Sequence, residues 1–169
     1  MKILYARNGC LYRLNQNQNA DHTSCHNERN EGVKKLEKIQ IAVFDFVEAD
    51  CSHTAKKVRE FYREDAEVVE YTAMQAFTYE FVDRLEAGGP FDMVFIGIDN
   101  MLGVETARII RGASLDCPMF IVSEVSDYGI EGFRLYAVDY LIKPVSTDRI
   151  KQAVMRTNYK AGRIKAKHL

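Results

Sequence analysis

The sequence predicts an α/β protein: a doubly wound, five-stranded parallel sheet with an N-terminal β-hairpin extension. Three observations carry this. From Ile39 onward, short apolar runs rich in β-branched or aromatic residues alternate with amphipathic stretches. The breaks between them are short, which is the pattern of a parallel sheet covered by helices on both faces. The series holds five βα units over about 120 residues, too few for an eight-unit barrel and suited to an open sheet.

The first element is the hairpin. In KILYARNGCLYRL, Asn8 and Gly9 tolerate the positive φ angles of a type I′ turn and are flanked by apolar, β-favouring residues. With Arg7 opposite Cys10, Tyr5 faces Tyr12 and Ile3 faces Leu14, leaving Leu4, Ala6 and Leu11 on the other side. Both sides are partly apolar, and a lone hairpin is marginal in water, so docking on the main domain or on another subunit is expected. Residues 15–32 contain Ala20 as their only aliphatic residue and are dominated by Asn, Gln and charge. They cannot bury enough surface to offset ordering entropy, and they read as a linker.

The predicted strands are 39–46, 67–71, 93–98, 119–123 and 139–142. The predicted helices are 49–63, 74–87, 102–113, 126–136 and 146–159. In the second helix Phe77, Phe81 and Leu85 form a stripe at i, i+4 and i+8, and Gly88, Gly89 and Pro90 end it. The flavodoxin-like strand order 2-1-3-4-5 with right-handed crossovers fits this series and puts a site at the carboxyl ends of strands 1 and 3. The expected organisation is a hairpin at 1–14, a polar linker at 15–38, the α/β domain at 39–159 and a basic tail at 160–169.

Composition excludes several classes. With 47% hydrophobic and 28% charged residues, the chain is neither a disordered polymer nor a collagen nor a small disulfide scaffold. A formal net charge of -1, from 23 basic and 24 acidic residues, points to neither nucleic acid nor anionic lipid. No apolar run approaches the roughly 18 to 20 residues that span a bilayer, and no signal-peptide pattern opens the chain, so a cytoplasmic location is expected. Cys10, Cys25, Cys51 and Cys117 show no paired spacing and read as free thiols.

At the carboxyl edge stand Asp45 and Phe46 after strand 1, Gly97 and Asp99 after strand 3, Ser123 after strand 4, and Lys143 with Pro144 after strand 5. A carboxylate, a hydroxyl and an ammonium on one edge could hold a cation or a phosphoryl group. Polar residues also collect where strands simply end.

At this point a resemblance becomes specific. Residues 39–159 resemble a response-regulator receiver domain (CheY-like). The stretch FIVSEVSDYGIEGFRLYAVDYLIKPV, residues 120–145, is similar to receivers that precede LytTR-type DNA-binding domains, and FDMVFIGI, residues 91–98, is similar to that family's third strand. The resemblance implies two-component, phosphorelay-type signalling in a bacterial setting and no enzyme activity. It also implies roles for residues, and the sequence departs from some of them. In receivers the third strand ends in the aspartate that takes the phosphoryl group, and that position is Gly97. The acidic pair that helps bind Mg²⁺ is Asp45 followed by Phe46. Ser123 keeps the hydroxyl position, Lys143 and Pro144 the phosphate-pairing lysine and its proline, and Tyr140 the aromatic switch position. Asp99 falls where the family's backbone carbonyl meets the metal, and the loop that contains it is short and lacks its proline.

Phosphoryl transfer of this kind needs a carboxylate nucleophile beside a divalent cation. The resemblance is therefore to a degenerate receiver, or pseudo-receiver, with a degenerate pocket at Asp45, Phe46, Gly97, Asp99, Ser123, Lys143 and Pro144. No cofactor is expected; Mg²⁺, if held by Asp45 and Asp99, is expected to bind weakly or not at all. Lys143 is expected to turn to Asp45 or Asp99, because an ammonium there is costly without a counter-charge.

The other candidates are weaker. His22, Cys25 and His26, with Cys10 upstream, supply metal-ligand types without the tight repeated spacing of a zinc site. His53, Lys56 and Lys57 read as an exposed helix face. Arg149, Lys151 and Arg156, continuing into Lys160, Arg163, Lys165, Lys167 and His168, form a basic stretch that could touch phosphates. No Walker loop, GxGxxG, Ser-His-Asp or CxxC arrangement occurs.

About ten residues follow the fifth helix, too few for a DNA-binding output domain, so output through a protein partner or self-association is expected, with no membrane and no nucleic acid. Tyr128, Ile130, Phe133, Leu135 and Tyr136 offer apolar material around the fourth helix, with Tyr128, Phe133 and Tyr140 as switch or interface residues, while Gly129 and Gly132 weaken that helix by roughly 1 kcal/mol each. The leading expectation is a receiver-like protein acting by phosphorylation-independent protein contact. The alternatives are a phosphoacceptor using Asp99 in place of Gly97, a regulator contacting nucleic acid through the basic tail, and a small-molecule sensor in the space left at Gly97 and Phe46.

Overall fold

The computed structural model describes backbone at residues 4–7, 10–13 and 38–161, with side chains over 38–157. The chain divides into two compact units, Met1–Lys35 and Leu36–Leu169. In the first, β1 (Leu4–Arg7) and β2 (Cys10–Arg13) pair antiparallel, with Arg7 opposite Cys10 and Tyr5 opposite Tyr12. The Asn8–Gly9 turn, the Ile3–Leu14 pair, the linker through residue 37, the candidate ligands His22, Cys25 and His26, and the tail from residue 162 lie outside the described residues.

The second unit is a five-stranded parallel sheet. Its strands are β3 (Ile39–Phe44), β4 (Ala66–Tyr71), β5 (Met93–Gly97), β6 (Met119–Ser123) and β7 (Asp139–Ile142), in the order β4-β3-β5-β6-β7. This is the predicted 2-1-3-4-5 order. The connecting helices are α1 (Glu48–Tyr62), α2 (Met74–Glu86), α3 (Met101–Ala113), α4 (Gly129–Arg134) and α5 (Thr147–Ala161).

Alternation along each strand builds two cores. Ala42, Phe44, Val94, Ile96, Met119 and Ile121 face one side, where Phe77 and Phe81 of α2 and Val104, Ala107 and Ile110 of α3 cover them. Ile41, Val43, Met93, Phe95, Phe120, Val122 and Leu141 face the other, beneath Cys51, Ala55 and Val58 of α1 and Ile150, Ala153 and Val154 of α5. Burying each large aliphatic or aromatic side chain contributes about 1.5–3 kcal/mol, so the sheet position is set from both faces. Cys51 and Cys117 are free and buried.

The fourth helix departs from expectation. A span of 126–136 was predicted, and only Gly129–Arg134 is helical. Gly129 and Gly132 supply little helical preference, and Tyr136 ends the turn with φ 51. The buried guanidinium of Arg111 substitutes for helix length: its Nε–H donates to Leu135 O and its Nη1–H groups to Ser114, Leu115 and Cys117 carbonyls. One α3 side chain thus anchors both the end of α4 and the turn into β6.

Candidate functional site

The site lies where β3, β5, β6 and β7 end. Lys143 follows β7 and precedes a cis peptide to Pro144. Its side chain is only 8% exposed, and its ammonium lies 2.6 Å from Asp45 Oδ2, 2.8 Å from Asp50 Oδ2 and 2.5 Å from Asp99 Oδ2. Burial alone would lower the Lys143 pKa, but the hydrogen bonds to Asp45, Asp50 and Asp99 prevail and hold it above the usual lysine range. The expected pairing with Asp45 or Asp99 is met by both at once. Sequence reasoning missed Asp50. It stands in the first turn of α1, immediately beyond the β3 edge, and a first-turn carboxylate on the helix after strand 1 was the signal for it.

Asp45 and Asp99 are engaged through both carboxylate oxygens. Val47 N–H donates to Asp45 Oδ1 at 2.9 Å, a local Asx turn that leads into α1. Asp99 Oδ1 accepts from Ser123 Oγ at 2.8 Å and from Glu124 N–H at 2.6 Å, and its Oδ2 takes Lys143. Burial would raise the Asp99 pKa, but the Lys143, Glu124 and Ser123 donors outweigh it and hold it below the usual carboxylate range. Ser123 is fully buried, and Tyr140 O–H donates to Val125 O at 2.6 Å.

The glycine at the end of β5 has a steric reason. A Cβ on Gly97 would meet Asp45 Oδ2 at 2.2 Å and Cγ at 2.5 Å. The Asp45 carboxylate fills the space above Gly97, which leaves no vacated volume there for the small-molecule site the sequence suggested. Gly103 is the second close approach: its Cβ would meet Gly97 O at 2.5 Å, so the first turn of α3 sits directly on the β5 end. Asn100 Oδ1 caps that helix by accepting from Gly103 N–H at 3.0 Å. These contacts account for the short loop around Asp99.

Phe46 is corrected. It turns away from the carboxylates and packs edge-on against Phe44, ring centroids 5.0 Å apart, on the α2 and α3 side of the sheet. An aromatic ring has nothing to gain beside three carboxylates. Around α4, Leu135 is buried rather than exposed and Tyr128 is half-buried against the same core, whereas Ile130, Phe133 and Tyr136 are exposed. His53 is exposed on α1, as expected, and its Nε2 lies 3.0 Å from Val145 O in the β7–α5 loop. Of the basic stretch, Arg149 and Arg156 both pair with the buried carboxylate of Asp139.

Receiver-type sites imply Mg²⁺, and the donor set can be tested for it. Asp45, Asp50 and Asp99 present oxygens within 4.8 Å of one another, the chemistry a hard cation takes. The space between those oxygens is occupied by the Lys143 ammonium, and both Asp45 oxygens are engaged. As arranged, the residues do not fit a divalent ion unless Lys143 withdraws. What the arrangement does is tie four loops together around one ammonium, with no free nucleophile at the position of Gly97.

No family model matches the chain. A 56-residue stretch is 38% identical to the sensory transduction protein LytT of Oceanobacillus iheyensis, covering 32% of this chain and 23% of that protein. The match thus spans about a quarter of that relative's length. Among solved structures, the chain is similar to the receiver (REC) domain of AraT, a response regulator from Geobacillus stearothermophilus, with TM-score 0.60 and 19% identity over 73% of this chain and 95% of that one. It is also similar to a CheY-like receiver domain protein from Methanospirillum hungatei, with TM-score 0.57 and 14% identity over 72% and 94%. The BeF3-activated receiver domain of DrrB, a Thermotoga maritima protein, matches with TM-score 0.51 and 22% identity over 70% and 99%. These likenesses establish the receiver fold, a CheY-like, flavodoxin-like sheet.

Proposed function

We propose that this chain, which has the receiver fold, is a two-component-type signalling module that acts by phosphorylation-independent protein contact. One observation carries the reading: at the end of β5 stands Gly97, and the Asp45 carboxylate occupies the volume that an acceptor side chain would need. An aspartyl phosphate requires a carboxylate nucleophile, and a glycine has none. The resemblance to LytT over 56 residues supports the signalling class. The chain is a binding module rather than an enzyme, and its partner is a protein or a second copy of itself.

The contact surface is best sought around α4. Ile130 and Phe133 on this short helix and Tyr136 in the turn after it are 68%, 86% and 79% exposed. The β1–β2 hairpin, linked by a polar segment at 15–38, is the second candidate for self-association, because its two partly apolar sides cannot cover each other. The engagement of Arg149 and Arg156 by Asp139 speaks against a phosphate-binding role for the start of the basic stretch.

A second reading is favoured by one observation. Asp99 touches Ser123 and Lys143, the hydroxyl and ammonium that would flank a phosphoryl acceptor. Intact mass after incubation of the full chain with Mg²⁺ and acetyl phosphate separates the two. An unchanged mass is expected; a phosphorylated species that disappears in Asp99→Asn would establish Asp99 as an acceptor and overturn the proposal.

A further inference from the structure

The sheet ends in β4 on one side and β7 on the other, and the same side-chain device sits on each edge. At β4, Arg59 of α1 donates through Nη1 to Glu70 Oε1 at 2.7 Å and through Nη2 to Val68 O at 2.9 Å. At β7, Arg149 of α5 donates through Nη1 to Asp139 Oδ2 at 2.7 Å and through Nη2 to Tyr140 O at 3.1 Å. In each case one prong of a guanidinium holds an acid of the edge strand and the other holds a main-chain carbonyl.

Those carbonyls lie on the outer side of the sheet. Asp45 N–H, at the end of β3, donates to Tyr71 O, so Tyr71 faces β3 and alternation turns Ala66, Val68 and Glu70 outward. Lys143 N–H donates to Ser123 O, which by the same alternation turns Tyr140 away from β6. Outward main-chain groups are a template for a further strand. The two edges differ in how firmly they are covered. Tyr140 N–H is taken as well, by Asp139 Oδ1 at 2.9 Å, and the Asp139 carboxylate is 7% exposed and also held by Arg156. At β4 the Arg59 side chain is 46% exposed, and its fork covers the carbonyl of Val68 but not those of Ala66 and Glu70.

We propose that Arg59 is a latch that keeps β4 from pairing edge to edge with a second copy of this chain, and that β4 is the edge through which copies join when the latch is released. The strand is self-complementary. In a two-fold antiparallel pair centred on Val68, Val68 meets Val68, Ala66 meets Glu70 and Glu67 meets Val69, so no glutamate stands opposite a glutamate. That pair needs the Val68 carbonyl, which is the one Arg59 holds. Val68 and Val69, half-buried on opposite faces of β4, would both gain cover from the added strand. Glu70 keeps the Ser52 hydroxyl at 2.8 Å when the guanidinium leaves, so release does not strand the carboxylate. The latch acts whether or not the chain accepts a phosphoryl group.

Light scattering at equal concentration compares the full wild-type chain with Arg59→Met, which keeps the apolar stem and removes both donors. Arg59→Met is expected at about twofold the wild-type mass or more. Its Val68 and Glu70 amide protons are expected to exchange about tenfold more slowly than in the wild type. Val68→Pro added to Arg59→Met should return the mass to the wild-type value, since an edge strand tolerates proline where the N–H points outward. Arg149→Met, which leaves Arg156 on Asp139, should stay at the wild-type mass. An unchanged mass in folded Arg59→Met, association that leaves the Val68 and Glu70 amides unprotected, or an equal gain in Arg149→Met would overturn the latch. If the proline variant does not fold, amide exchange decides. If Arg59→Met does not fold, Arg59→Lys serves, because one ammonium cannot hold carboxylate and carbonyl together; Val68 and Glu70 amides that gain no protection as concentration rises would refute the idea. A phosphorylated wild-type chain would sink the proposed function and leave the latch standing, whereas failed association sinks only the latch.

Discussion

Replacing Gly97 with alanine isolates the contact on which the functional reading turns. A Cβ there would stand 2.2 Å from Asp45 Oδ2, so the Asp45 carboxylate must move. Moving it breaks its 2.6 Å contact with Lys143 and endangers the 2.9 Å hydrogen bond from Val47 N–H. A hydrogen bond to a charged group contributes about 1.5–3 kcal/mol, and breaking a buried ion pair costs about 3–5 kcal/mol when nothing else satisfies the charge. Lys143 keeps Asp50 and Asp99, which lowers the second figure, and alanine recovers up to about 1 kcal/mol over glycine in a strand. The net expectation is a loss of about 2–4 kcal/mol, or a fall in melting temperature of roughly 8–15 °C for a domain of this size. Urea unfolding of Gly97→Ala, Asp45→Ala and the double variant measures it as a cycle. Asp45→Ala opens the space, so Gly97→Ala should then cost about 0.5 kcal/mol or less. A single variant within about 0.5 kcal/mol of wild type, or an equal cost in both backgrounds, would refute the claim that Asp45 excludes a side chain at 97.

Other expectations follow from the same geometry. Lys143→Met leaves three carboxylates without their counter-charge and should cost about 3–5 kcal/mol at neutral pH, with the deficit shrinking toward pH 4 as carboxylates protonate; chemical denaturation at two pH values checks it. In the wild type, the raised Lys143 pKa contributes stability that is complete below about pH 10.4 and lost as pH rises through the folded value. The lowered Asp99 pKa contributes stability present above about pH 3.9 and lost as pH falls through its folded value. Burial also raises the Cys51 and Cys117 thiols and the Tyr62 and Tyr71 hydroxyls, so the alkaline fall begins at about pH 8.5 with the thiols, and Lys143→Met should remove only the Lys143 contribution above about pH 10.4. Arg111→Met strands the Leu135, Leu115 and Cys117 carbonyls and should cost about 2–4 kcal/mol, with Arg111→Lys recovering little because one ammonium cannot span that fork. Gly129→Ala meets nothing within 4 Å and should stabilise by up to about 1 kcal/mol, whereas Gly132→Ala presses on Tyr140 Cδ2 at 3.2 Å and should not, both read by thermal melts. Ile130→Ser with Phe133→Ser should leave stability within about 0.5 kcal/mol, and light scattering should show any self-association through α4 diminish.

The five strands and their order were legible because each strand is a short apolar run with β-branched residues, and burial on both faces leaves a period-2 sequence little freedom of placement. Phe77 and Phe81 marked the buried stripe of α2 for a similar reason, as a 3.6-residue repeat facing one core. The extent of α4 was not legible. Local preference, set by Gly129 and Gly132, shortened it, and the compensating anchor is Arg111, a residue of α3 that no local window connects to Leu135.

At the site, sequence alone brought Asp45, Gly97, Asp99, Ser123 and Lys143 to one sheet edge, since strand ends are determined by topology. It left undecided which side chains meet there. Phe46 and Asp45 are adjacent in the chain yet part company at the edge, because successive residues project to opposite faces and only one can reach Lys143. Asp50 joins through the first turn of α1, whose direction depends on how Cys51, Ala55 and Val58 pack on the sheet. The volume above Gly97 could be judged only with Asp45 in place, since a missing side chain is a cavity or a close contact according to what a neighbouring strand puts there.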